Sequence, residues 1–183
     1  ILVSRYDENE DQSVIDLIAI HGFNRLHRWV PPIHELENGE VSADAIRFRH
    51  PILLPDGDIV ITCTALGNVM RVDKDNRIVW NRSIRAHHSM ELDQAGNIFA
   101  CVTSKTPARI AGKDCENDGY VKISPAGDVL EEGYFLEALR ADGFSETLLA
   151  LSANHSSDAT HLNDVQPVCM TRGLARKGDL MVS

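Results

Sequence analysis

The protein has 183 residues, of which 43% are hydrophobic, and its formal net charge at pH 7 is −9. That apolar content is enough to build a folded core, so a wholly disordered chain is excluded. The acidic balance and the lack of a Lys/Arg cluster argue against nucleic acid or an anionic membrane surface as partners. No apolar run reaches the roughly 20 residues of a membrane helix.

Short strands separated by turn signals are predicted along most of the chain, and they fall into four groups. The first group occupies residues 1–49 and ends in a loop, with strands at 1–6, 14–20 and 25–30. The second occupies 50–86 and the third 87–134, with strands at 51–54, 58–64, 69–73 and 77–80, then at 88–93, 97–103, 119–123 and 128–134. One or two short helices are expected in an insertion at 135–160, and residues 161–183 begin a fourth group, with strands at 164–168 and 179–183.

Four of the predicted turns share one design, in which an apolar residue is followed by a polar turn with Gly or Asn and then by a strand. These turns follow Leu54, Val72, Leu92 and Ile123. Gly and Asn tolerate the positive φ that tight hairpins require. The repeated strand–hairpin–strand units therefore predict an antiparallel meander.

A longer repeat places a histidine before a strand, a turn and a second strand. It occurs at His50, His88 and His161, and the first two copies lie 38 residues apart. A period near 40 with four short strands is typical of β-propeller blades. The sequence therefore predicts an all-β fold, a partial β-propeller over residues 1–183 with four-stranded antiparallel blades, and a β-sandwich is the alternative.

The predicted strands make little more than three blades, whereas a closed propeller usually has at least four. We therefore expect the chain to form part of a larger propeller. A longer protein, a homo-oligomer or a larger assembly would complete the ring.

The histidine repeat supplies the candidate catalytic residues. His87 and His88 stand at the start of a predicted innermost strand, where side chains would face a central channel, and a histidine pair in an ordinary loop is the alternative. His161 and Asn163 would face the same side of a strand. An imidazole moves protons near neutral pH, and an amide can stabilise an oxyanion. The alternative for Asn163 is a turn formed with Asp164.

The remaining histidines, tryptophans and cysteines are interpreted as structural. Surface or loop positions are expected for four histidines, namely His21, His27, His34 and His155. Trp29 and Trp80 are predicted to pack within the sheets. Cys63 and Cys101 are predicted to be buried as small apolar residues, and a disulfide that includes Cys115 is the alternative. No common metal-binding or cofactor-binding motif is present, so no cofactor and no metal are predicted.

Three segments, in this order, resemble the bacterial arylsulfotransferase family, the aryl-sulfate sulfotransferases. They are residues 72–98, which include His87-His88-Ser89-Met90-Glu91, residues 118–130, and residues 161–183, which begin His161-Leu162-Asn163-Asp164-Val165. The resemblance covers roughly residues 50–183, and it rests on the ordered set of segments rather than on one motif.

The resemblance implies a six-bladed propeller in the periplasm or outside the cell. It implies transfer of a sulfuryl group from a phenolic sulfate to a phenol through a transiently sulfated histidine, with no nucleotide donor. His88 or its neighbour His87, together with His161 and Asn163, would hold and protonate the sulfate and phenol oxygens. The family's nucleophilic histidine lies in a later blade and its arginine is expected just after Ser183. No nucleophile is therefore assigned here, and the chain is expected to be inactive in isolation.

Two other functions are consistent with the same residues. A propeller of this ancestry without the chemistry would act as a binding or assembly subunit, because a fold does not fix a function. A metal-dependent hydrolase would use His161, Asn163 and Asp164 as nitrogen and oxygen ligands.

Overall fold

The computed structural model describes residues 1–32, 35–36, 41, 45–155 and 157–183, apart from the side chains of residues 148 and 152–155. The chain divides into two compact units, Ile1–His88 and Ser89–Ser183. Its all-β character is confirmed, as is the presence of four-stranded antiparallel sheets. Among the described residues, no helix has the length and apolar character that crossing a membrane would require.

The first unit contains two antiparallel meanders. The three-stranded sheet has the order β1-β2-β3, with strands β1 (Leu2–Asp7), β2 (Gln12–Ile18) and β3 (Arg25–Trp29). The four-stranded sheet has the order β4-β5-β6-β7, with strands β4 (Phe48–Leu53), β5 (Ile59–Cys63), β6 (Asn68–Val72) and β7 (Ile78–Ser83). Both meanders follow the predicted strands closely, although part of the loop predicted after β3 lies outside the described residues.

The core of the first unit lies between these two sheets. Ile15 and Trp29 from the first sheet pack in one cluster with Ile59 and Met70 from the second. Trp29 is only 1% exposed, which confirms its predicted packing role. Hydrophobic burial of this kind is the main force that holds two sheets together.

A buried ion-pair network crosses the three strands of the first sheet. Arg28 on β3 binds Asp7 with Nη1 at 2.9 Å and Asp16 with Nε at 2.7 Å, and Arg5 pairs with the same two carboxylates. Hydrogen bonds from Arg5 and from the backbone N–H of Asn9 hold the pKa of Asp7 at about 2. Burial would raise the pKa of Asp16, but hydrogen bonds from Arg28 and Arg5 outweigh it and lower that pKa.

The second unit is built on a four-stranded sheet with the order β13-β12-β9-β8. Its strands are β8 (Ala86–Leu92), which begins in the first unit, β9 (Ile98–Thr103), β12 (Asp118–Ile123) and β13 (Val129–Tyr134). A separate two-stranded sheet pairs β14 (Val165–Pro167) with β15 (Leu180–Val182). Phe99 and Cys101 of the larger sheet pack against Leu162 and Val165, so the core is continuous from β9 to β14.

Two short helices and a two-stranded ribbon complete the second unit. The helices are α1 (Phe135–Ala141) and α2 (Glu146–His155), within the predicted insertion, and the ribbon consists of β10 (Ala108–Ile110) and β11 (Lys113–Cys115). Leu136 and Leu149 from the helices pack on Ile110 and Cys115 from the ribbon. Cys115 is buried with a free thiol, so the alternative of a disulfide that includes Cys115 is wrong.

The four repeated turns have the same backbone hydrogen bonding. In the turn after Leu92, the Gly96 N–H donates to the Asp93 carbonyl and the Asp93 N–H to the Asn97 carbonyl, at 3.1 and 2.9 Å. Equivalent pairs of bonds close the other three turns. The predicted Gly or Asn has a positive φ in each, at Gly57, Asn76, Gly96 and Gly127. The shared turn chemistry thus gives both four-stranded sheets the same local connections.

Strand β13 lies at an edge of its sheet in the described part of the chain. Residues 129–132 are all exposed along it. Two of them are apolar, Val129 and Leu130, and two are acidic, Glu131 and Glu132. The Glu131 carboxylate accepts a hydrogen bond of 2.5 Å from the Tyr120 hydroxyl on the neighbouring strand.

Candidate functional site

The three histidines of the repeat share an unusual backbone conformation. His50, His88 and His161 have φ values of 47°, 49° and 38°. A positive φ is uncommon for residues other than glycine, although histidine adopts it more often than most side chains do. Such conformations cost free energy and are frequent at functional sites. The three histidines of the sequence repeat therefore share a positive φ, but His50 and His88 lie within strands and His161 precedes one.

His87 and His88 lie within strand β8, as predicted for the start of a strand, and both are half-buried. Their rings meet edge to face, with centroids 5.0 Å apart and an angle of 87° between the planes. The positive φ at His88 breaks the regular alternation of side chains in the strand. The pair is thus held by the sheet rather than by a loop.

His161 and Asn163 are not arranged as the sequence suggested. Strand β14 begins only at Val165, so the alternation assumed for positions 161 and 163 is wrong. Asn163 instead donates its side-chain amide to the His161 carbonyl at 3.2 Å, and its backbone N–H to the Ser183 carbonyl at 2.7 Å. The two residues lie in the segment that leads into the strand, where Asn163 bonds to both His161 and Ser183.

Asp158 fixes the imidazole of His161. One carboxylate oxygen is bonded to His161 Nδ1, and the other accepts the His161 backbone N–H at 2.8 Å. Because an ionised carboxylate only accepts, Nδ1 carries the proton in this bond. The hydrogen bond and charge of Asp158, with smaller effects from Asp118 and Glu116, raise the pKa of His161 above its ordinary value. The His161 side chain is 60% exposed, so solvent and solutes can reach it.

Asp118 is the buried acceptor that anchors this segment to the sheet. The residue is 2% exposed, and its two carboxylate oxygens accept the Leu162 backbone N–H at 2.8 Å and the Thr103 hydroxyl at 3.1 Å. A carboxylate buried this deeply needs such donors to offset the loss of water. The position of His161 therefore depends on β12 as well as on Asp158.

Three acidic residues beside His161 lie close enough together to bind a cation. Ligand oxygens of Glu116, Asp118 and Asp158 lie within 4.8 Å of one another. Protein donors already bond to Asp118 and Asp158, as described above. The predicted ligand set of His161, Asn163 and Asp164 has a different arrangement, because Asp164 accepts hydrogen bonds of 2.6 Å from Ser89 and from Gln166.

The other predicted residues are placed as follows. His21 is exposed in a turn, and His27 lies at the surface of a strand rather than in a loop. His27 is half-buried in β3, and its Nε2 lies 3.1 Å from the Lys74 carbonyl. His34 and the His155 side chain lie outside the described residues. Trp80, Cys63 and Cys101 are buried as predicted.

Sequence reasoning missed Asp118 and Asp158. Asp158 lies three residues before His161, a spacing that a turn can close, and this is the one local signal for the pair. Asp118 and Leu162 are 44 residues apart, so no short-range pattern could have joined them. Comparison with protein-family models and with curated proteins found no match to this chain.

Proposed function

We propose that the chain belongs to a β-propeller that transfers a sulfuryl group between phenolic compounds, as arylsulfotransferases do. In such a reaction a histidine nitrogen attacks sulfur, the bond to the phenolate oxygen breaks, and a second phenol then takes the sulfuryl group from the nitrogen. Proton donors must stabilise the leaving phenolate, and a base must accept the proton of the incoming phenol.

The observation that carries the proposal is the left-handed backbone at His50, His88 and His161. One such histidine could be a local accident of a turn. Three histidines of the sequence repeat share this conformation, although His50 and His88 lie within strands β4 and β8 and His161 lies before β14. Strain of this kind is retained where the orientation of a side chain is useful.

His161 is suited to the proton-transfer part of this chemistry. Asp158 holds the Nδ1 proton, so Nε2 is the nitrogen that would exchange a proton with a phenol oxygen. The raised pKa keeps a larger fraction of the imidazole protonated near neutral pH, which favours donation to a leaving phenolate. We assign Asp158 as the positioning residue for His161, in a role like that of the carboxylate in other carboxylate–histidine pairs.

Asn163 and the His87–His88 pair would contact the sulfate and phenol oxygens. The Asn163 amide and the imidazoles can donate hydrogen bonds to those oxygens. The nucleophilic histidine is not assigned among these residues. The periplasm or cell exterior remains the proposed location.

The test is sulfuryl transfer by the native protein purified from its source. The protein is incubated with 4-nitrophenyl sulfate in the presence and absence of phenol. We expect nitrophenol to be released only when the phenol acceptor is present. His161→Gln should lower the rate by about 100-fold or more, the usual effect of losing a general acid or base.

His21→Gln is the matched control, because His21 is exposed and lies outside the histidine repeat. It should leave the rate unchanged. A native protein that transfers no sulfuryl group would overturn the proposal and favour the binding or assembly subunit. A His161→Gln rate equal to that of the control would remove His161 from the mechanism.

A further inference from the structure

The second unit contains a cavity that the proposed chemistry does not use. It lies between the turn that joins β8 to β9 and the segment that joins β14 to β15. Its volume is about 190 Å³. A cavity of about 150 Å³ can hold a benzene molecule, so this space fits one six-membered ring with a small substituent.

One wall of the cavity is apolar. Phe99 on β9 and Ala95 in the turn face Pro167 and Val168 from the other side. Phe99 is 6% exposed, and it belongs to the core cluster that joins the sheet to β14. The wall is therefore anchored in packed structure, and a ring bound there would be removed from water at a low cost in protein ordering.

The charged groups in the lining are mainly positive. Lys122 and Lys177 line the cavity together with a single carboxylate, that of Asp93. The Lys122 ammonium lies 5.1 Å from the centre of the Phe99 ring and 3.5 Å from Asp93. A cation held over an aromatic face and beside a carboxylate is restricted in its motion, so it is preorganised at the junction of the polar and apolar walls.

The Asp93 carboxylate accepts hydrogen bonds mainly from residues of its own turn. One oxygen accepts the backbone N–H groups of Ala95 and Asn97, and the other accepts the Asn97 side-chain amide. Burial raises the pKa of Asp93, but these bonds and the charge of Lys122 together lower it. The carboxylate is thus a structural part of the hairpin, and a net positive charge is left for a ligand.

We propose that this cavity binds a small organic anion, a single aromatic ring with one carboxylate or sulfonate group. The ring would lie against Phe99 and Pro167, and the oxyanion would face Lys122 and Lys177. The local charge opposes that of the chain as a whole, which is −9. The local positive charge would therefore attract an anion even though the protein as a whole repels anions. The proposal does not depend on sulfuryl transfer, because none of the histidines assigned to that reaction lines the cavity.

Cys169 gives a direct way to test the site. It lines the cavity and is an exposed free cysteine, whereas Cys63, Cys101 and Cys115 are buried. Burial also raises the pKa of the Cys101 thiol to about 11, which keeps that thiol unreactive near neutral pH. Alkylation by iodoacetamide, followed by mass spectrometry of the peptides, therefore reports mainly on Cys169.

The experiment measures binding of 4-fluorobenzoate to the protein by fluorine NMR and its effect on Cys169 alkylation. We expect saturable binding at one site and slower alkylation at saturation. The neutral isostere 4-fluorobenzamide should neither bind at the same concentrations nor protect the cysteine. The double variant K122Q/K177Q should weaken 4-fluorobenzoate binding about tenfold or more, as the loss of charge-assisted contacts predicts.

Two variants separate a defect in the site from a defect in folding. Lys177→Gln changes an exposed residue and should weaken binding by itself without changing the unfolding transition. Lys105→Gln removes an exposed lysine outside the cavity and should leave binding unchanged. The proposal would be overturned if 4-fluorobenzamide bound as well as 4-fluorobenzoate, or if Lys105→Gln weakened binding as much as Lys177→Gln. Binding of 4-fluorobenzoate without protection of Cys169 would also overturn it.

Discussion

The two carboxylate networks of the protein differ in the donors that satisfy them. In the first unit, Asp7 and Asp16 are paired with the guanidinium groups of Arg5 and Arg28, which stay charged at any ordinary pH. In the second unit, Asp118 and Asp158 are satisfied by backbone N–H groups, a hydroxyl and the imidazole of His161. The first network is a fixed structural pair of charges, whereas the second contains a group that gains and loses a proton.

The difference separates stability from chemistry. The largely buried Arg28 guanidinium is suited to fixing three strands to one another, and it does not release a proton at ordinary pH. An imidazole held by a carboxylate at an exposed turn contributes little to packing but retains a reactive nitrogen. Buried acidic residues are therefore not by themselves a sign of function. The kind of donor that pairs with them indicates whether their role is structural or chemical.

The largest effect is expected from Arg28→Met, which tests the structural network. The change leaves Asp16 buried with a weaker partner, since Arg5 remains, and it should lower the free energy of unfolding by about 1–2 kcal/mol after allowance for solvent screening. Urea denaturation measures this loss. Arg25→Gln is the control, because Arg25 is 53% exposed and 3.9 Å from Asp16. Equal losses for the two variants would contradict a specific role for Arg28.

A smaller effect is expected from Asp158→Asn, which tests the titratable network. The pKa of His161 is raised in the folded protein, so the Asp158 contact stabilises the fold below the ordinary histidine pKa of about 6.5. That contribution is lost as the pH rises through the raised value. NMR titration of the His161 ring should show a midpoint above 6.5 in the protein and a lower one in the variant.

Asp142→Asn is the control for this titration, because Asp142 is an exposed residue at the end of α1. It removes the same carboxylate charge at a place that does not contact His161. The His161 midpoint should stay where it is in the unchanged protein. A midpoint that does not move in Asp158→Asn would mean that the pair does not persist in solution.

The smallest effect is expected from Asn163→Ala. The side chain is exposed and donates a hydrogen bond to the His161 carbonyl at 3.2 Å, so the free energy of unfolding should change by no more than about 0.5 kcal/mol. Thermal unfolding measures the change. A large destabilisation would show that the turn depends on Asn163 for its fold, and the comparison between a structural and a chemical network would then fail for this residue.

The sequence was most informative where the signals are local. Alternating apolar residues and the Gly or Asn turns placed the two four-stranded sheets correctly, because strand period and turn conformation are properties of neighbouring residues. The insertion with short helices was also anticipated, from the spacing of Leu136 and the leucines after it. The propeller itself, the blade boundaries and the roles of the histidines stay predictions.

What the sequence did not predict depends on distant contacts or on weak local preferences. The β10–β11 ribbon turns at Ala111 and Gly112, both with positive φ, and alanine gives no warning of that conformation. The residues just before β14 look like strand but lie outside it, and there the buried carboxylate of Asp118 accepts the Leu162 backbone N–H. No pattern within a short window contains both partners of that bond.

The edge strand β13 has a consequence for the behaviour of the protein in concentrated solution. Within the part of the chain that the structure describes, β13 has a neighbouring strand on one side only, and such an edge can pair with another strand. The two apolar side chains at its start would favour this self-association. The adjacent glutamates oppose it, because a second copy laid along the same edge would bring like charges together. The sheet thus includes its own protection against aggregation, and neutral substitutions at Glu131 and Glu132 would remove it.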